Sequence, residues 1–423
     1  MNIAVLGCGT VAGGVIRLLR ENRDEIARQA GEEIRISRVL ARHPEKARAL
    51  GFADEAICTD IDRILGDESI AVVVELIGGV EDAYRFVKGA LTAGKHVVTA
   101  NKDLIALHLR ELSRLASEKG VSLFFEGAVG GGIPLIAPLR RTLAANRITD
   151  IYGILNGTTN YILSRMTKEN IPYAEALSAA QALGYAEADP SADVLGDDSA
   201  RKIAILASLA FHTEITYPEV RRDGITKVTG SDIRFAARLG MVPKLLAACH
   251  RTEAGVEAYV RPFLVPLTHP LSAVGGPFNA VYLNGEPVGE VMLYGQGAGA
   301  DPTASSVVGD IMELKSRLDT ASYEDCCETA LPVLEHSARR HTFYLNLLAA
   351  DKPKVLAGIA LALGECGVSI ASLVQEQTKD GTAEIMLTTH QTAEADFDRA
   401  CEALRDNASV LDLHSMMILP EKA

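Results

Sequence analysis

The sequence predicts an α/β protein whose N-terminal part is a doubly wound parallel sheet. Through the first third of the chain, short runs of Val, Ile and Leu alternate with helical patterns. These runs show little polar alternation, which is typical of parallel strands that are covered on both faces. A glycine-rich turn directly follows the first run, and the final part of the chain has a strand and helix order of its own.

The N-terminal strands and helices follow a βαβ rhythm. Strands are predicted at 2–6, 33–40, 71–77, 96–100 and 121–125, with helices at 11–29 and 80–93. This order is that of a Rossmann domain, in which each helix crosses back over a parallel sheet. We expect this domain to span 1–129, with a return helix at about 300–318.

The middle of the chain predicts a second, mixed α/β domain over 130–299. Residues 128–132 are rich in glycine, and Ile133-Pro134 is predicted to open a helix. Further helices are predicted at 173–183 and 199–211, and strands between 256 and 293, with Asn284-Gly285 as a hairpin turn. The segment Asp301-Pro302-Thr303 begins the helix that is expected to return to the first domain.

The last part of the chain predicts a separate small domain over 341–423, after a connector at 319–340. Strands are predicted at 341–348, 368–377, 382–390 and 410–419, and helices at 353–366 and 393–407. The resulting order, βαββαβ, is that of a ferredoxin-like unit.

Composition excludes several classes of protein. The net charge of −13 is unsuited to wrapping nucleic acid, which needs clustered Lys and Arg. Seven cysteines without any CxxC spacing argue against a disulfide framework or a zinc site. No apolar run reaches the roughly 20 residues that span a bilayer, and the N-terminus does not resemble a signal peptide. We therefore expect a cytoplasmic protein with no membrane partner.

The turn after the first strand fits the dinucleotide-binding pattern G-x-G-x-x-G/A. Gly7 makes the tight turn, Gly9 lets the backbone approach a pyrophosphate, and Ala12 allows close packing of helix and strand. Thr10 and Val11 begin the helix, whose N-terminus favours phosphate groups. A glycine turn without a ligand is the alternative, but the strand–turn–helix setting favours an NAD(P) site.

The end of the second strand bears on the choice between NADP and NAD. An NAD site usually has an acidic residue there for the ribose hydroxyls, whereas this strand ends in Arg42, with Lys46 nearby. A guanidinium would suit the 2′-phosphate of NADP. An arginine in a solvated loop is the alternative interpretation.

Two lysines are candidates for chemistry. Lys102 lies just past the end of a predicted strand, where ligands bind in this fold; a surface lysine is the alternative. Asp198 and Lys202 are four residues apart, on one face of a helix that continues as an apolar segment over 203–211 and is therefore expected to be buried. A purely structural ion pair is the alternative there.

In these segments the sequence resembles homoserine dehydrogenase. The matching segments run in order over about residues 1–318: GCGTVAGG at 7–14, VVELIGG at 73–79, GKHVVTANK at 94–102, NGTTNY at 156–161, GYAEADPSAD at 184–193, the helix at 198–211, and GQGAGADPTA at 295–304. The C-terminal unit resembles an ACT domain, an amino-acid-sensing module that is often appended to this enzyme.

The resemblance implies a reversible NAD(P)H-dependent reduction of L-aspartate 4-semialdehyde to L-homoserine, in threonine, methionine and isoleucine biosynthesis. Lys202 and Lys102 match the family's catalytic lysines, with Lys202 as the favoured proton donor. Glu187 and Asp198 match residues that hold the amino group and hydroxyl of the substrate. Asp193 and Gly184 match further parts of that substrate site.

The resemblance also implies a structural monovalent cation, Na⁺ or K⁺, and a homodimer or homotetramer. The cation ligands would be Glu126, Val129, Gly131 and Ile133, partly through backbone carbonyls. Gly299 is expected near the nicotinamide.

Aldehyde reduction fits these residues better than two rival functions do. The cofactor supplies hydride, and a positioned cationic acid protonates the developing alkoxide. Aspartate-semialdehyde dehydrogenase forms a thioester on a reactive cysteine, whereas here only Cys8 lies inside a matched motif, at a variable position. A non-catalytic sensor of dinucleotide and amino acid would have no reason to retain both lysines and the acidic cluster.

The C-terminal unit departs from the ACT pattern at one position. Such domains commonly carry Asp-x-Pro-Gly-Val-Leu between the first strand and helix, whereas residues 351–356 read DKPKVL, with Lys354 in place of glycine. A Cβ and a long charged chain hinder close approach of a ligand. We hypothesise weak or absent threonine feedback and a role in assembly through exposed strand edges. The rival view is that Lys354 points to solvent and leaves the pocket intact.

Overall fold

The computed structural model describes residues 1–317, 327–334, 340–378 and 381–419. Most of the predicted connector at 319–340, including Cys326, lies outside the described residues. The chain divides into two compact units. Unit 1 comprises Met1–Ile151, Arg201–Glu219 and Asn279–Leu331; unit 2 comprises Tyr152–Ala200, Val220–Phe278 and Pro332–Ala423.

The strands of the described residues are β1 Asn2–Leu6, β2 Arg35–Leu40, β3 Ile57–Cys58, β4 Ile70–Glu75, β5 His96–Thr99, β6 Leu123–Phe124, β7 Arg147–Ile154, β8 Arg221–Arg222, β9 Met241–Arg251, β10 Val256–Pro266, β11 Phe278–Glu286, β12 Gly289–Gln296, β13 Arg340–Ala350, β14 Ile370–Gln377, β15 Thr382–Thr389, β16 Thr392–Ala393 and β17 Val410–Leu419.

The α-helices of the same part of the chain are α1 Thr10–Glu21, α2 Arg23–Ala30, α3 Pro44–Ala49, α4 Asp62–Leu65, α5 Glu81–Thr92, α6 Lys102–Lys119, α7 Gly157–Glu169, α8 Tyr173–Ala182, α9 Ser191–Val194, α10 Asp197–Phe211, α11 Gly230–Arg238, α12 Ala300–Arg317, α13 Val355–Glu365 and α14 Glu394–Arg405. None of these helices combines the length and apolarity that a membrane crossing requires.

Unit 1 contains the predicted parallel sheet. Its six strands follow the order β3-β2-β1-β4-β5-β6, and every neighbouring pair is parallel. Ile3, Val5 and Val72 have no exposed surface and pack in one core with Val307 and Ile311 of α12. The doubly wound N-terminal sheet is confirmed, although β3 was not predicted because it has only two residues.

Helix packing in unit 1 depends on small residues at close contacts. A Cβ built on Gly14 of α1 would lie 2.9 Å from the Cβ of Ala304 in α12, so the two helices meet where neither has a larger side chain.

The prediction of a single helix at 11–29 is wrong in one respect. The structure has two helices there, because α1 ends at Glu21, Asn22 has non-helical φ −103° and ψ 21°, and α2 begins at Arg23.

Two further predictions in unit 1 differ from the structure. The helical segment predicted to open at Ile133-Pro134 begins two residues later, at Ile136, and continues as a π-helical segment at Pro138–Thr142. Asn284-Gly285 is not the hairpin turn, because β11 continues to Glu286 and the turn lies at 287–288. A Cβ on Gly285 would lie 3.0 Å from the Ile148 side chain, so this glycine allows close packing within a strand.

Unit 2 is built on a mixed sheet. Its strands follow the order β9-β10-β17-β13-β15-β14, in which β9 and β10 form a long antiparallel hairpin. The C-terminal βαββαβ order is confirmed over β13, α13, β14, β15, α14 and β17, with β13 antiparallel to both β15 and β17. In its core, Phe343 and Phe397 stack with ring centroids 4.0 Å apart.

The C-terminal module continues the sheet of the same unit. β17 pairs in parallel with β10, with Phe263 opposite Ile418. One edge of the module is therefore covered within the chain, which corrects the expectation that both of its edge strands are exposed. The other edge is β14, where Ala371, Ser372 and Gln375 are exposed.

Candidate functional site

The glycine turn of unit 1 has the predicted strand–turn–helix geometry. Gly7 has φ +104°, and a Cβ there would lie 2.7 Å from the carbonyl oxygen of Leu76. Gly9 is the extended N-cap of α1, which begins at Thr10 and has no acidic residue in its first turn. The backbone N–H groups and dipole at this helix end favour an anion such as a pyrophosphate.

A cavity of about 450 Å³ is associated with this turn and lies entirely within unit 1. It lies at the carboxyl ends of β1, β4 and β5, where ligands bind in this class of sheet. Five of the predicted cofactor and catalytic residues line it: Thr10, Val11, Lys102, Lys202 and Gly299. Its volume is that of a typical small-molecule site.

Lys102 is placed by a capping residue. It is the first residue of α6, and the side-chain oxygen of Asn101 accepts a hydrogen bond from the N–H of Leu104 at 3.1 Å. The Asn101 amide also donates to the carbonyl oxygen of Gly79 at 2.7 Å. Asn101 therefore ties the start of α6 to the loop after β4, and Lys102 follows from a fixed helix end.

Lys202 lies in α10 and is only 7% exposed. The residues that follow it, Ile203 and Ala204, are fully buried, as the apolar pattern predicts. The neighbouring Arg201 forms an ion pair with Asp103 of α6, with Nε 2.9 Å from Oδ1. The two lysine-bearing helices are therefore joined within unit 1, and both lysines line one cavity.

Glu75 is a residue that the sequence analysis left without a role. It ends β4 with no exposed surface and lines the same cavity. Its carboxylate accepts hydrogen bonds from the N–H of Ile77 at 2.9 Å and from the Thr99 hydroxyl at 2.6 Å. Burial raises the pKa of this carboxyl above its ordinary value. A glutamate after an uninterrupted apolar run was the available signal.

The predicted cation ligands lie in one buried loop of unit 1. Both carboxylate oxygens of Glu126 accept backbone hydrogen bonds, from the N–H groups of Leu135 at 2.5 Å, Ile136 at 2.9 Å and Ala137 at 2.6 Å. The carbonyl oxygen of Gly131 accepts from the Ser306 hydroxyl at 2.6 Å. Val129 and Ile133 are also buried.

A second carboxyl lies beside this loop. Asp310 of α12 accepts a hydrogen bond from the N–H of Glu126 at 2.8 Å. Burial and the nearby charge of Glu126 raise the pKa of Asp310 well above its ordinary value. Within the described ranges, no group of three or more His, Cys, Asp or Glu side chains is arranged to hold a metal ion.

Unit 2 brings two of the predicted acidic residues together through Asn156. The Asn156 amide donates to Asp193 Oδ1 at 2.7 Å and to Asp198 Oδ2 at 2.9 Å. Its side-chain oxygen caps α7 by accepting from the N–H of Thr159 at 2.9 Å. Asp198 is 4% exposed and Asp193 is half-buried, so one amide holds two carboxylates of unequal burial. Asn156 lies in a segment quoted for the resemblance but was given no role.

Glu187 and Gly184 lie in the loop after α8. Gly184 has φ +75° and is exposed, and Glu187 is also exposed. The loop is held to α7 because the Thr158 hydroxyl donates to the carbonyl oxygen of Tyr185 at 2.6 Å. No hydrogen bond joins the Glu187 carboxylate to the Asn156 cluster in the described part of unit 2.

Arg42 lies outside the lining of the unit 1 cavity. Its side chain is 82% exposed and its Nη2 lies 3.1 Å from Asp82 Oδ2, at the start of α5. Cys8 lies in the glycine turn and is partly buried, and burial raises the pKa of its thiol. A raised pKa is the opposite of what an activated cysteine nucleophile needs, so the rival thioester mechanism gains no support.

Comparison with known proteins agrees with this geometry. The family model for homoserine dehydrogenase matches residues 134–312, that for its NAD-binding domain matches 7–126, and that for the ACT domain matches 343–408. A homoserine dehydrogenase of Synechocystis is 42% identical over 99% of both chains. One of Bacillus subtilis is 39% identical over 98% of this chain and 97% of its own.

Solved structures of homoserine dehydrogenases are also similar to this chain. A homoserine dehydrogenase from Thiobacillus denitrificans superposes with a TM-score of 0.92 at 39% identity, covering 100% of this chain and 98% of that one. A hyperthermophilic archaeal homoserine dehydrogenase in complex with NADPH has a TM-score of 0.64 at 28% identity, covering 75% of this chain and 98% of that one. The chain therefore belongs to the homoserine dehydrogenase family of NAD(P)-dependent oxidoreductases and carries a C-terminal ACT domain.

Proposed function

We propose that this protein catalyses the reversible NAD(P)H-dependent reduction of L-aspartate 4-semialdehyde to L-homoserine, in threonine, methionine and isoleucine biosynthesis. The observation that carries the proposal is the unit 1 cavity, where Lys102 and Lys202 line the same space as the start of α1. A cationic group beside a dinucleotide-binding turn is the arrangement that carbonyl reduction requires.

The chain's own residues are suited to hold the cofactor. Gly7 makes the tight turn, the space beside Gly9 is open for a pyrophosphate at the N-terminus of α1, and Ala12 is buried behind it. We assign Gly299, which lines the cavity, to the nicotinamide end. When bound, the nicotinamide supplies the hydride. The NADPH in the archaeal relative supports the phosphorylated cofactor.

Lys202 is assigned as the proton donor and Lys102 as its catalytic partner. Because Lys202 is almost fully buried, its ammonium group is poorly hydrated and interacts strongly with charge that develops on the aldehyde oxygen. Transfer of its proton to that oxygen completes the alcohol. In the reverse direction the same amine accepts the hydroxyl proton.

The carboxylates of unit 2 are assigned to the substrate's polar groups. Asp198 and Asp193 offer acceptors for an ammonium group and a hydroxyl, and Asn156 fixes the spacing between them. Glu187 is assigned to the substrate ammonium group. Its exposed loop, which Gly184 begins, has space in which to accept a ligand.

A monovalent cation, Na⁺ or K⁺, is proposed at the loop of Glu126, Val129, Gly131 and Ile133, with a structural role only. The fit is partial. Three backbone N–H groups already occupy the Glu126 carboxylate, and Ser306 occupies one lone pair of the Gly131 carbonyl oxygen. These groups would bind a cation through their remaining lone pairs. We expect a higher melting temperature in NaCl or KCl than in choline chloride of equal ionic strength, and equal melting temperatures in all three would contradict the site.

We propose a homodimer or homotetramer as the working assembly. The uncovered edge of β14 supports association through the C-terminal module, because an unpaired strand edge is a template for pairing with another chain. Sedimentation of the purified protein measures the assembly directly, and a monomer at all concentrations would contradict it.

The decisive experiment is an assay of the purified protein with NADPH and L-aspartate 4-semialdehyde. We expect NADPH oxidation with formation of homoserine, and the reverse reaction with NADP⁺ and L-homoserine. Oxidation of the semialdehyde that requires inorganic phosphate would instead identify the thioester-forming enzyme. Tight NADPH binding without turnover would identify a sensor, and either result would overturn the proposal.

A further inference from the structure

Three buried polar residues of unit 1 lie where two neighbouring parallel strands end, and we call them the Glu75 network. Glu75 ends β4 and Thr99 ends β5, and the two residues lie opposite each other in the strand register. Asn101 is the N-cap of α6. Glu75 and Thr99 have no exposed surface, and Asn101 is 8% exposed. Lys102 is the next residue along the polypeptide, so its backbone follows directly from this network.

Hydrogen bonds join the three residues. The Thr99 hydroxyl donates to Glu75 Oε2 at 2.6 Å and accepts from the N–H of Asn101 at 3.0 Å. The other oxygen of Glu75 accepts from the N–H groups of Ile77 at 2.9 Å and Gly78 at 3.3 Å. One carboxyl group therefore binds the loop after β4 directly and the start of α6 through a hydroxyl.

A second link joins the same loop to the same helix. The Asn101 amide donates to the carbonyl oxygen of Gly79 at 2.7 Å, and its side-chain oxygen accepts from the N–H of Leu104 at 3.1 Å. A displacement of Glu75 would therefore reach Asn101 along two routes, one through the Thr99 hydroxyl and one through the loop.

The ionisable group of Glu75 makes this arrangement costly. The donors that bind it, two N–H groups and one hydroxyl, are neutral, and burial raises its pKa. Burial of a carboxyl group without a cationic partner is unfavourable. An apolar residue would continue the pattern of β4 without this cost, but only a carboxylate offers two acceptor oxygens to these donors. The placement of the donors, and not packing, therefore accounts for a glutamate at this position.

We propose that Glu75 is a positioning residue, which fixes Lys102 in the unit 1 cavity through Thr99 and Asn101. Glu75 and Lys102 both line that cavity. The inference rests on the proposed function, because it is there that Lys102 is assigned to catalysis. A displacement of about 1 Å can cost on the order of 10²-fold in rate, so a network that holds the start of α6 has a measurable effect on turnover.

Two substitutions of similar shape break the network, and a conservative one preserves it. Thr99→Val removes the hydroxyl, Glu75→Gln presents an N–H donor to that hydroxyl, and Thr99→Ser keeps it. We expect kcat for L-homoserine to fall about 10–100-fold in the first two variants and to stay near the unmodified value in Thr99→Ser. KM for L-homoserine should change little, since the substrate ammonium group is assigned to residues outside the network. Equal losses in Thr99→Ser and Thr99→Val, or a rise in KM alone, would overturn the proposal.

A double-mutant cycle tests whether the effect passes through Lys102. Lys102→Ala removes the group that the network is proposed to place, so the addition of Thr99→Val should cause no further loss of kcat. The double variant should therefore match Lys102→Ala alone. Losses that multiply would show that Thr99 acts independently of Lys102 and would refute the positioning role.

Lys95 provides a matched control at the opposite end of β4. It is 4% exposed, and its Nζ donates to the carbonyl oxygens of Asp67 at 2.7 Å and Ile70 at 3.0 Å. Lys95→Met removes these buried hydrogen bonds and leaves the Glu75 network in place. It should lower the free energy of unfolding without changing kcat. A loss of kcat as large as that in Thr99→Val would assign both effects to general destabilisation and overturn the proposal.

Hydrogen exchange of the full-length protein, measured by mass spectrometry without cofactor or substrate, gives a readout that does not depend on the reaction. Exchange at 76–79 and 101–104 should be faster in Thr99→Val than in the unmodified protein and unchanged in Lys95→Met. This result in a protein that does not turn over L-homoserine would refute the proposed function and leave the network in place. Unchanged exchange in Thr99→Val would overturn the network, whether or not the protein is active.

Discussion

Replacement of Asn156 tests the acidic cluster of unit 2 most directly. The Asn156 side chain caps α7 through its oxygen and donates to both Asp193 and Asp198 through its amide. Asn156→Ser keeps a capping oxygen but removes the amide, whereas Asn156→Ala removes both functions. Asn156→Asp keeps the shape and the cap but places a third carboxylate against the other two.

The expected magnitudes follow from these contacts. Loss of a cap costs about 1 kcal/mol, and hydrogen bonds to charged groups contribute about 1.5–3 kcal/mol each when they are buried. Asp193 is half-buried, so the hydrogen bond from Asn156 to Asp193 contributes less to the free energy of unfolding than the one to Asp198. We expect Asn156→Ala to lower the free energy of unfolding by about 2–4 kcal/mol, and Asn156→Ser by about 1 kcal/mol less.

The catalytic effect should depend on pH. In Asn156→Asp, repulsion among three carboxylates should displace Asp198 and reduce kcat/KM by about 10–100-fold, which corresponds to about 1.4–2.8 kcal/mol of transition-state stabilisation. The loss should diminish as pH falls, because protonation of one carboxyl restores a donor. Urea unfolding and steady-state kinetics across pH measure both effects.

A control separates packing from chemistry. Asn160 lies one turn further along α7, is equally buried, and donates to the backbone carbonyls of Val274, Gly276 and Phe278 rather than to carboxylates. Asn160→Ser should lower stability without a pH-dependent loss of kcat/KM. Unchanged kcat/KM in a folded Asn156→Asp variant would refute the role of the cluster.

Four further predictions concern other sites. Lys202→Ala should lower kcat about 10²–10⁴-fold; near-normal turnover in the folded variant would remove its role as acid. Arg42→Ala should weaken NADP(H) by about 1.5–3 kcal/mol without weakening NAD(H); equal changes in both dissociation constants would show that Arg42 does not contact the 2′-phosphate. Lys354 has φ +75°, so Lys354→Gly should raise the free energy of unfolding by about 1 kcal/mol, measured by thermal unfolding. If the Lys354 side chain also blocks the ACT pocket, inhibition by threonine should appear only in this variant. The raised pKa of Asp310 means that the folded state binds a proton more tightly than the unfolded chain. The stability that this proton contributes is present at low pH and is lost as pH rises above the ordinary pKa of Asp towards the raised value. Asp310→Asn should make the free energy of unfolding, measured in urea, fall less over this pH range, and an unchanged fall would assign it to another group.

Features that depend on neighbouring residues were predictable from the sequence. The glycine turn, the start of α1 and the positions of most of the parallel strands follow from local patterns, because turn geometry and strand burial are set over a few positions. The predicted ends of the strands were less accurate. The hairpin turn was assigned to Asn284-Gly285, since that dipeptide favours a tight turn, but close packing against Ile148 extends β11 beyond it.

The site residues that the sequence analysis left without a role were missed for a different reason. Glu75 is bonded to Thr99, and Asn156 is bonded to two aspartates about forty positions away. The sequence shows the polar residue but not the partner that the fold brings to it. Arg42 was placed correctly at the end of β2, yet its pairing with Asp82 of a later helix was not apparent from the local sequence.

The parallel pairing of β10 with β17 has a consequence for any attempt to remove the ACT module. A chain cut before β13 would expose the edge of β10, where Phe263, Leu264 and Val265 are now buried. It would also leave Arg221 and Arg261 without Glu394, their shared buried partner. An open apolar strand edge promotes aggregation. The module is therefore a structural cover for the catalytic sheet, and its loss should reduce solubility before it alters regulation.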